Sequence, residues 1–234
     1  MVLNVTDIHT YYGTSHILFG VSLAVDEGEI VCCLGRNGAG KTTVIRSIMG
    51  LTPPRSGSIK FYGREIMGES PYHIARLGIC WVPEDRRVFS DLTVEENLKV
   101  AVRKRRKQDE GWTVEKIWEF FPKLKDLRTH RAGYLSGGEQ QMLTIGRTLM
   151  TNPQLILLDE PAEGLSPLVV KELGGRIKLL KEQKVTVLLC EQNVSFALGI
   201  SERAYVIEKG TIAYQGSIEE LKRNEEVKRR YLMV

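Results

Sequence analysis

Nine residues, Gly35-Arg36-Asn37-Gly38-Ala39-Gly40-Lys41-Thr42-Thr43, constrain this chain more than any other stretch. They spell G-x-x-x-x-G-K-T, a phosphate-binding P-loop. Glycines let the backbone curl until several N–H groups face one anion. Lys41 adds a positive charge for β- and γ-phosphates, and the Thr42 hydroxyl suits Mg²⁺. A helix beginning at the loop points its positive dipole end at the same anion. The motif requires strand, loop, helix in that order. Glu29 to Leu34 reads as a buried strand, and Lys41 to Met49 as a helix ending at Gly50.

A second stretch answers the first. Leu155-Ile156-Leu157-Leu158-Asp159-Glu160 is an unbroken apolar strand ending in two carboxylates, the Walker B pattern. Continuous apolar character marks a parallel strand buried on both faces. Open α/β sheets place ligands at the carboxyl ends of such strands. Asp159 is the expected Mg²⁺ ligand. Glu160, the next residue, points elsewhere and is the expected general base, a role worth about 10²–10⁴ in rate.

A third stretch, Leu135-Ser136-Gly137-Gly138-Glu139-Gln140-Gln141, precedes a helix running to about Met150. A serine and two glycines at a helix start present N–H donors, a hydroxyl and a positive dipole end, a second anion site. One nucleotide does not need two separate helix-start sites on one subunit. The economical reading is that this site serves a nucleotide held by another subunit.

Composition narrows the class. The 234 residues are 42% hydrophobic and 26% charged, with a net charge of +4. These values are ordinary for a globular protein, and the charge is too mild to argue for nucleic acid. No apolar run approaches the roughly 18 residues of a membrane span. Asn4, Asp7 and His9 interrupt any apolar N-terminal run, so no signal peptide is expected. Cys32, Cys33, Cys80 and Cys190 lie in strand-like stretches without metal-like spacing. They read as reduced core thiols, with Cys32 and Cys33 on opposite faces of a strand, which fits the cytoplasm.

The rest of the chain reads as strands and helices in alternation. Met1 to Ile8 and Ile17 to Val25 alternate like strands, with Tyr11-Tyr12-Gly13 between them. Ser58 to Tyr62 and Ile79 to Val82 are strand-like, and Pro71 to Leu77 fits a short helix. Thr93-Val94-Glu95-Glu96 is a capping box, followed by an apolar stripe through Leu98, Ala101 and Val102. Arg103 to Lys107 is a basic run, read as a solvated helix end or as a contact for anionic lipid headgroups. Val114, Ile117, Trp118 and Phe121 have amphipathic-helix spacing. From Gln154 the strand–helix pattern resumes: a strand to Leu158, a helix over Leu168 to Leu180, a strand over Val185 to Cys190. A helical turn follows at Asn193 to Leu198, then a hairpin around Lys209-Gly210 and a capped helical tail from Ser217.

Leu-Ser-Gly-Gly-Glu-Gln between a P-loop and a Walker B strand resembles the signature of ABC-type ATPases, and the resemblance covers essentially the whole chain. It implies an α/β fold: a mixed RecA-like core, an N-terminal antiparallel β subdomain and an inserted α-helical subdomain. One domain over 1–234 is expected, with 1–91 and 154–234 forming the core and β subdomain. A helical insert from about Leu92 to Tyr134, extended to 153 by the signature helix, completes it. In that family two cassettes pack head to tail, each ATP lying between the P-loop of one and the signature of the other. By resemblance, Gly35, Asn37, Gly38, Ala39, Gly40, Lys41, Thr42 and Thr43 bind nucleotide. Tyr12 stacks on adenine, with Tyr11 the weaker candidate. Ser136, Gly137, Gly138 and Glu139 clamp the partner's ATP. Glu163, Gly164, Leu165 and Ser166 form the D-loop, which touches the opposite cassette.

Three positions depart from the family pattern. Glu84 stands where most members have a Q-loop glutamine, Gln192 where most have a switch histidine, and Ser166 where many have aspartate. Glu84 is an expected Mg²⁺ ligand that adds negative charge. Gln192 keeps a hydrogen-bond donor for the γ-phosphate but cannot shuttle a proton near neutral pH. Trp81 to Phe89, Leu92 to Leu98, Asp159 to Pro167 and Glu191-Gln192-Asn193 look like the LivF-type ATPases of branched-chain amino acid importers. Related urea and amide importers share these features. The resemblance implies a peripheral ATPase on the cytoplasmic face of the cell membrane. Its expected partners are ATP and ADP, a second ABC ATPase subunit in a heterodimer or homodimer, permease subunits, and indirectly an extracytoplasmic binding protein. A non-transport ABC ATPase that remodels ribosomes, DNA or protein complexes is the rival reading.

Overall fold

A computed structural model of the chain describes residues 1–102, 111–227 and 229. The basic run Arg103 to Lys107 lies outside them. Among the described residues ten strands follow chain order: β1 (Leu3–Tyr12), β2 (Ser15–Val25), β3 (Ile30–Leu34), β4 (Ser56–Phe61), β5 (Arg64–Glu65), β6 (Ile79–Val82), β7 (Leu155–Asp159), β8 (Thr186–Glu191), β9 (Arg203–Glu208) and β10 (Thr211–Ser217). The helices are α1 (Lys41–Ile48), α2 (Pro71–Leu77), α3 (Val94–Lys99), α4 (Val114–Phe120), α5 (Pro122–Asp126), α6 (Gly137–Leu149), α7 (Pro167–Glu182), α8 (Val194–Ile200), α9 (Ile218–Arg223) and α10 (Glu225–Val227).

The strands form two sheets. One is antiparallel, ordered β2-β1-β4-β5. The other is ordered β10-β9-β3-β8-β7-β6 and is parallel except for its β9–β10 edge hairpin. Every residue of β3, β7 and β8 is buried, as strands covered on both faces must be. Alternate residues feed two cores. Cys33, Leu157 and Leu188 pack with α1 and the antiparallel sheet through Ile45, Ile8 and Val21. Cys32, Ile156 and Leu189 pack with α3 to α8 through Leu98, Ile117, Phe121, Leu143, Leu173 and Phe196. Cys32 and Cys33 thus serve opposite faces, and all four cysteines are free thiols.

Topology places the chemistry. Strands β3, β6, β7 and β8 run parallel, so their carboxyl ends share one edge. The P-loop, Glu84, Asp159-Glu160 and Gln192 all leave the sheet there, the edge where such sheets bind ligands. Helices α3 to α6 fall between β6 and β7.

Local differences from the sequence expectation have simple causes. Tyr11 and Tyr12 do not lie between strands; they end β1, pairing with His16 and Ser15. Only Gly13 and Thr14 form the turn, and Gly13 takes the positive φ of 58° that a tight hairpin requires. The stripe after Thr93 also stops early. Helix α3 ends at Lys99, and Val102 is exposed. No helix among the described residues is long and apolar enough to cross a membrane.

Candidate functional site

The P-loop is backed by the β9–β10 hairpin. The Gly210 N–H donates to the Ala39 carbonyl at 2.9 Å. Gly35 is pressed against the same hairpin: a Cβ there would lie 2.6 Å from the Ile207 carbonyl oxygen. Gly40, at φ 116°, begins α1 in a conformation that favours glycine. Lys41 is only 3% exposed. Its ammonium donates to the carbonyls of Gly35 at 2.9 Å and Arg36 at 3.0 Å, and pairs with Glu160 Oε1 at 3.0 Å. The cation is therefore held within the curl of its own loop. Thr43 is buried, whereas Arg36, Asn37 and Gly38 are exposed along the loop's outer rim.

Asp159 and Glu160 diverge as adjacent strand-end residues should. The Thr42 hydroxyl donates to Asp159 Oδ1 at 3.1 Å, while Glu160 turns to Lys41. Glu160 still pairs its N–H with the Cys190 carbonyl at 2.8 Å, yet its φ is 44°. A non-glycine residue in that region carries strain, and such strain gathers at working sites. Burial pushes the Asp159 carboxyl up to about 6; the Thr42 hydroxyl opposes this, and the Glu160 and Glu84 charges add to it. Glu163 is pushed up to about 7, first because it shares a hydrogen bond with the Glu160 carboxyl, then by burial and neighbouring carboxylates. Among the described residues no cluster of three or more His, Cys, Asp or Glu groups could hold a metal ion. Thr42 Oγ1 and Asp159 Oδ1 are hard oxygen donors side by side. That sparse set fits Mg²⁺, which usually takes one or two carboxylates and completes its shell with phosphate oxygens and water.

The remaining candidates fall around this centre. Tyr12 is exposed, with the Arg46 guanidinium 6.0 Å from its ring. Tyr11 is already engaged: His16 stacks on it at 4.0 Å and 9°, and the Arg55 guanidinium lies 4.1 Å from its centroid. Tyr12 therefore has the more available ring. Glu84 is exposed beyond β6, near enough for its charge to act on Asp159 and Glu163. Gln192 is exposed just past β8.

Ser136, Gly137, Gly138 and Glu139 form a second cluster at the start of α6. Ser136 and Glu139 form a capping box: the Ser136 N–H donates to Glu139 Oε2 at 2.8 Å, and Ser136 Oγ accepts from the Glu139 N–H at 3.4 Å. Gly138 is buried against α7, where a Cβ would lie 2.6 Å from Val169 Cγ1. Gly164, at φ 64°, turns the chain toward Leu165 and Ser166, and Ser166 begins α7 without a side-chain capping bond.

The contacts of three residues were not read from the sequence. Glu163 shares the Glu160 hydrogen bond described above. Glu191 is 2% exposed, and its carboxylate accepts from the N–H groups of Ala162 at 3.1 Å, Gln192 at 3.0 Å and Asn193 at 3.0 Å. It thereby ties the Walker B exit to the start of the Gln192 segment. Burial raises its pKa, and the three N–H donors counter the rise. Arg86 reaches from the loop after β6 to the Glu163 carbonyl. A carboxylate ending an apolar strand was a visible signal for Glu191; Arg86 offered none.

Comparison with known proteins points to one family. The ABC transporter family profile matches residues 18–163. The chain is 45% identical to the high-affinity branched-chain amino acid transport ATP-binding protein BraG of Pseudomonas aeruginosa over 231 residues, covering 99% of each. It is 34% identical to BraF of the same organism, which carries the same description, covering 99% of this chain and 97% of that protein. A solved ATP-binding cassette of an ABC transporter, in its ADP conformation, matches with a TM-score of 0.83 and 30% identity over 97% of each chain.

Proposed function

The chain belongs to the ABC transporter family, as one of its ATP-hydrolysing cassettes, and from that premise we propose that it drives a branched-chain amino acid importer. The observation that carries the chemistry is the convergence of Lys41, Thr42, Asp159 and Glu160 at one sheet edge. The names of BraG and BraF support the solute class.

ATP enters along the P-loop with its adenine on Tyr12. Its phosphates compete for Lys41, which leaves the Gly35 and Arg36 carbonyls and Glu160. Backbone N–H groups from Gly38 to Thr43 and the α1 dipole take the β- and γ-phosphates. Thr42 and Asp159, with Glu84 nearby, would hold Mg²⁺, which would supply positive charge beside the phosphates. Glu160, freed from Lys41, orients and polarises the attacking water. Gln192 donates to the γ-phosphate without carrying a proton, so proton acceptance rests on Glu160 or the phosphate itself.

Ser136, Gly137, Gly138 and Glu139 grip the nucleotide of a second cassette, and Gly164, Leu165 and Ser166 touch it. One organism carries both BraG and BraF, and identities of 45% and 34% support pairing with a different, BraF-like subunit. Two permease subunits place the pair at the cytoplasmic face of the membrane, and an extracytoplasmic binding protein delivers the solute. ATP-driven closure of the pair moves the permease; hydrolysis and release reopen it. The chain folds as one cassette with the helical insert of about 92–153.

Affinity isolation of the tagged chain from its native membranes in mild detergent, followed by mass spectrometry, tests this. Two polytopic membrane subunits and a second cassette are expected. Recovery with ribosomes or other soluble partners, and no membrane subunit, would overturn the transport reading.

A further inference from the structure

Arg86 lies in the loop after β6, two residues past Glu84, and its φ of 45° is a left-handed value for a non-glycine residue. Its carbonyl accepts from the Val88 N–H at 2.7 Å in a tight turn. That conformation sends the half-buried side chain across to two other segments. Arg86 Nη2 donates to the Glu163 carbonyl. The same nitrogen lies 3.3 Å from where a Cβ on Gly164 would stand. Arg86 Nη1 abuts Gly137 so closely that a side chain there would collide with it. Leu165 Cδ2 lies 3.9 Å from the same point, so the guanidinium and the Glu163–Leu165 loop share one crevice beside the start of α6.

We propose that Arg86 is a positioning residue that fixes the start of α6 against the Glu163–Ser166 loop, and so presets the surface that grips the partner cassette's nucleotide. The inference rests on the reading that these two segments face a partner's ATP. The two terminal nitrogens of the planar guanidinium reach two segments at once, whereas a lysine ammonium could keep the bond to only one of them. Strain at Arg86 and at Glu160, on the two sides of the Glu163 loop, is the pattern expected where surrounding structure over-determines a working site. The root of this loop is anchored as well. Asn97 accepts from the Phe89 N–H at 2.9 Å and donates to its carbonyl at 3.0 Å, and Arg147 donates to the Arg87 carbonyl.

The test uses the complex recovered with the tagged chain, carrying Arg86→Ala or Arg86→Lys. Misplaced gripping groups cost on the order of 10- to 100-fold in turnover. Arg86→Ala is expected to lower kcat by that factor, while nucleotide affinity of the isolated chain, measured with a fluorescent ATP analogue, stays within twofold. Arg86→Lys, which keeps the charge and one donor, should recover part of the lost kcat. Unchanged kcat in Arg86→Ala overturns the proposal. So does a loss of nucleotide affinity in the isolated chain, which would place Arg86 at its own P-loop. Failure to recover any second cassette with the wild-type chain is a different result and removes the trans-site reading itself.

Discussion

Replacing Glu160 with glutamine perturbs two things at once, and the structure separates them. Without nucleotide, Glu160 neutralises Lys41 at 3.0 Å, and both side chains are more than nine-tenths buried. Breaking a buried pair costs about 3–5 kcal/mol when the surviving charge is stranded. Here Lys41 keeps the Gly35 and Arg36 carbonyls, and the glutamine oxygen can still accept. Losing one negative charge also relieves Asp159 and Glu163. The loss should therefore fall to about 1–2 kcal/mol, a Tm decrease of roughly 2–8 °C for a domain of this size. Nucleotide narrows the difference, because phosphate replaces Glu160 as the partner of Lys41: at one ATP concentration, set at 100 times the wild-type Kd, wild type gains about 2.7 kcal/mol and the variant, with no ion pair to break, gains more. Turnover should fall about 10²–10⁴-fold through loss of the base. Thermal unfolding with and without ATP, beside a phosphate-release assay, reads both effects. A nucleotide-free Tm equal to or above wild type refutes the ion-pair argument. Turnover within tenfold of wild type refutes the base assignment.

Three further outcomes follow from the same geometry. Tyr12→Ala should weaken nucleotide binding by about 1–3 kcal/mol, the usual worth of aromatic–base stacking. Tyr11→Ala should change it far less, because His16 and Arg55 already cover its ring; equal losses measured by titration calorimetry would undo that distinction. Gly210→Ala places a methyl against the Ile17 carbonyl at φ 79°, behind the P-loop, and should destabilise the chain by about 2–4 kcal/mol, read by denaturant titration; a change under 0.5 kcal/mol contradicts it. The folded-state pKa of Glu163 is raised to about 7, so its favourable contribution is complete below the ordinary glutamate range and is lost as pH rises through 7. Wild-type Tm should therefore fall relative to Glu163→Gln between pH 5 and 8 without nucleotide, and parallel curves would remove the shared Glu160–Glu163 hydrogen bond from the account.

What the sequence disclosed was local or periodic. A P-loop declares itself because its glycines, lysine and threonine act through adjacent backbone. The β7 strand declares itself because burial on both faces demands an unbroken apolar run. The opposite-face reading of Cys32 and Cys33 needed only the two-residue period of a strand. Helix caps at Thr93 and Ser217 were legible because their partners lie three residues away. The contacts of Glu191 and Arg86 were hidden for the opposite reason. Glu191 is defined by N–H groups up to 29 residues distant, and Arg86 by a carbonyl 77 residues away. No residue type announces such contacts, since each is made to backbone. The ends of β1 and α3 were misplaced because tyrosines beside a glycine resemble a loop, and an apolar residue such as Val102 extends a stripe whether or not anything covers it.

ATP hydrolysis by this chain, on the function proposed above, drives uptake of branched-chain amino acids. Proteoliposomes containing the complex recovered with the tagged chain, its binding protein and ATP test it directly, with labelled leucine, isoleucine, valine and urea offered in parallel. The account predicts ATP-dependent accumulation of the three amino acids, abolished by Glu160→Gln in this chain. Accumulation of urea alone would contradict the solute, and amino-acid accumulation unaffected by Glu160→Gln would contradict the chain's role as the motor.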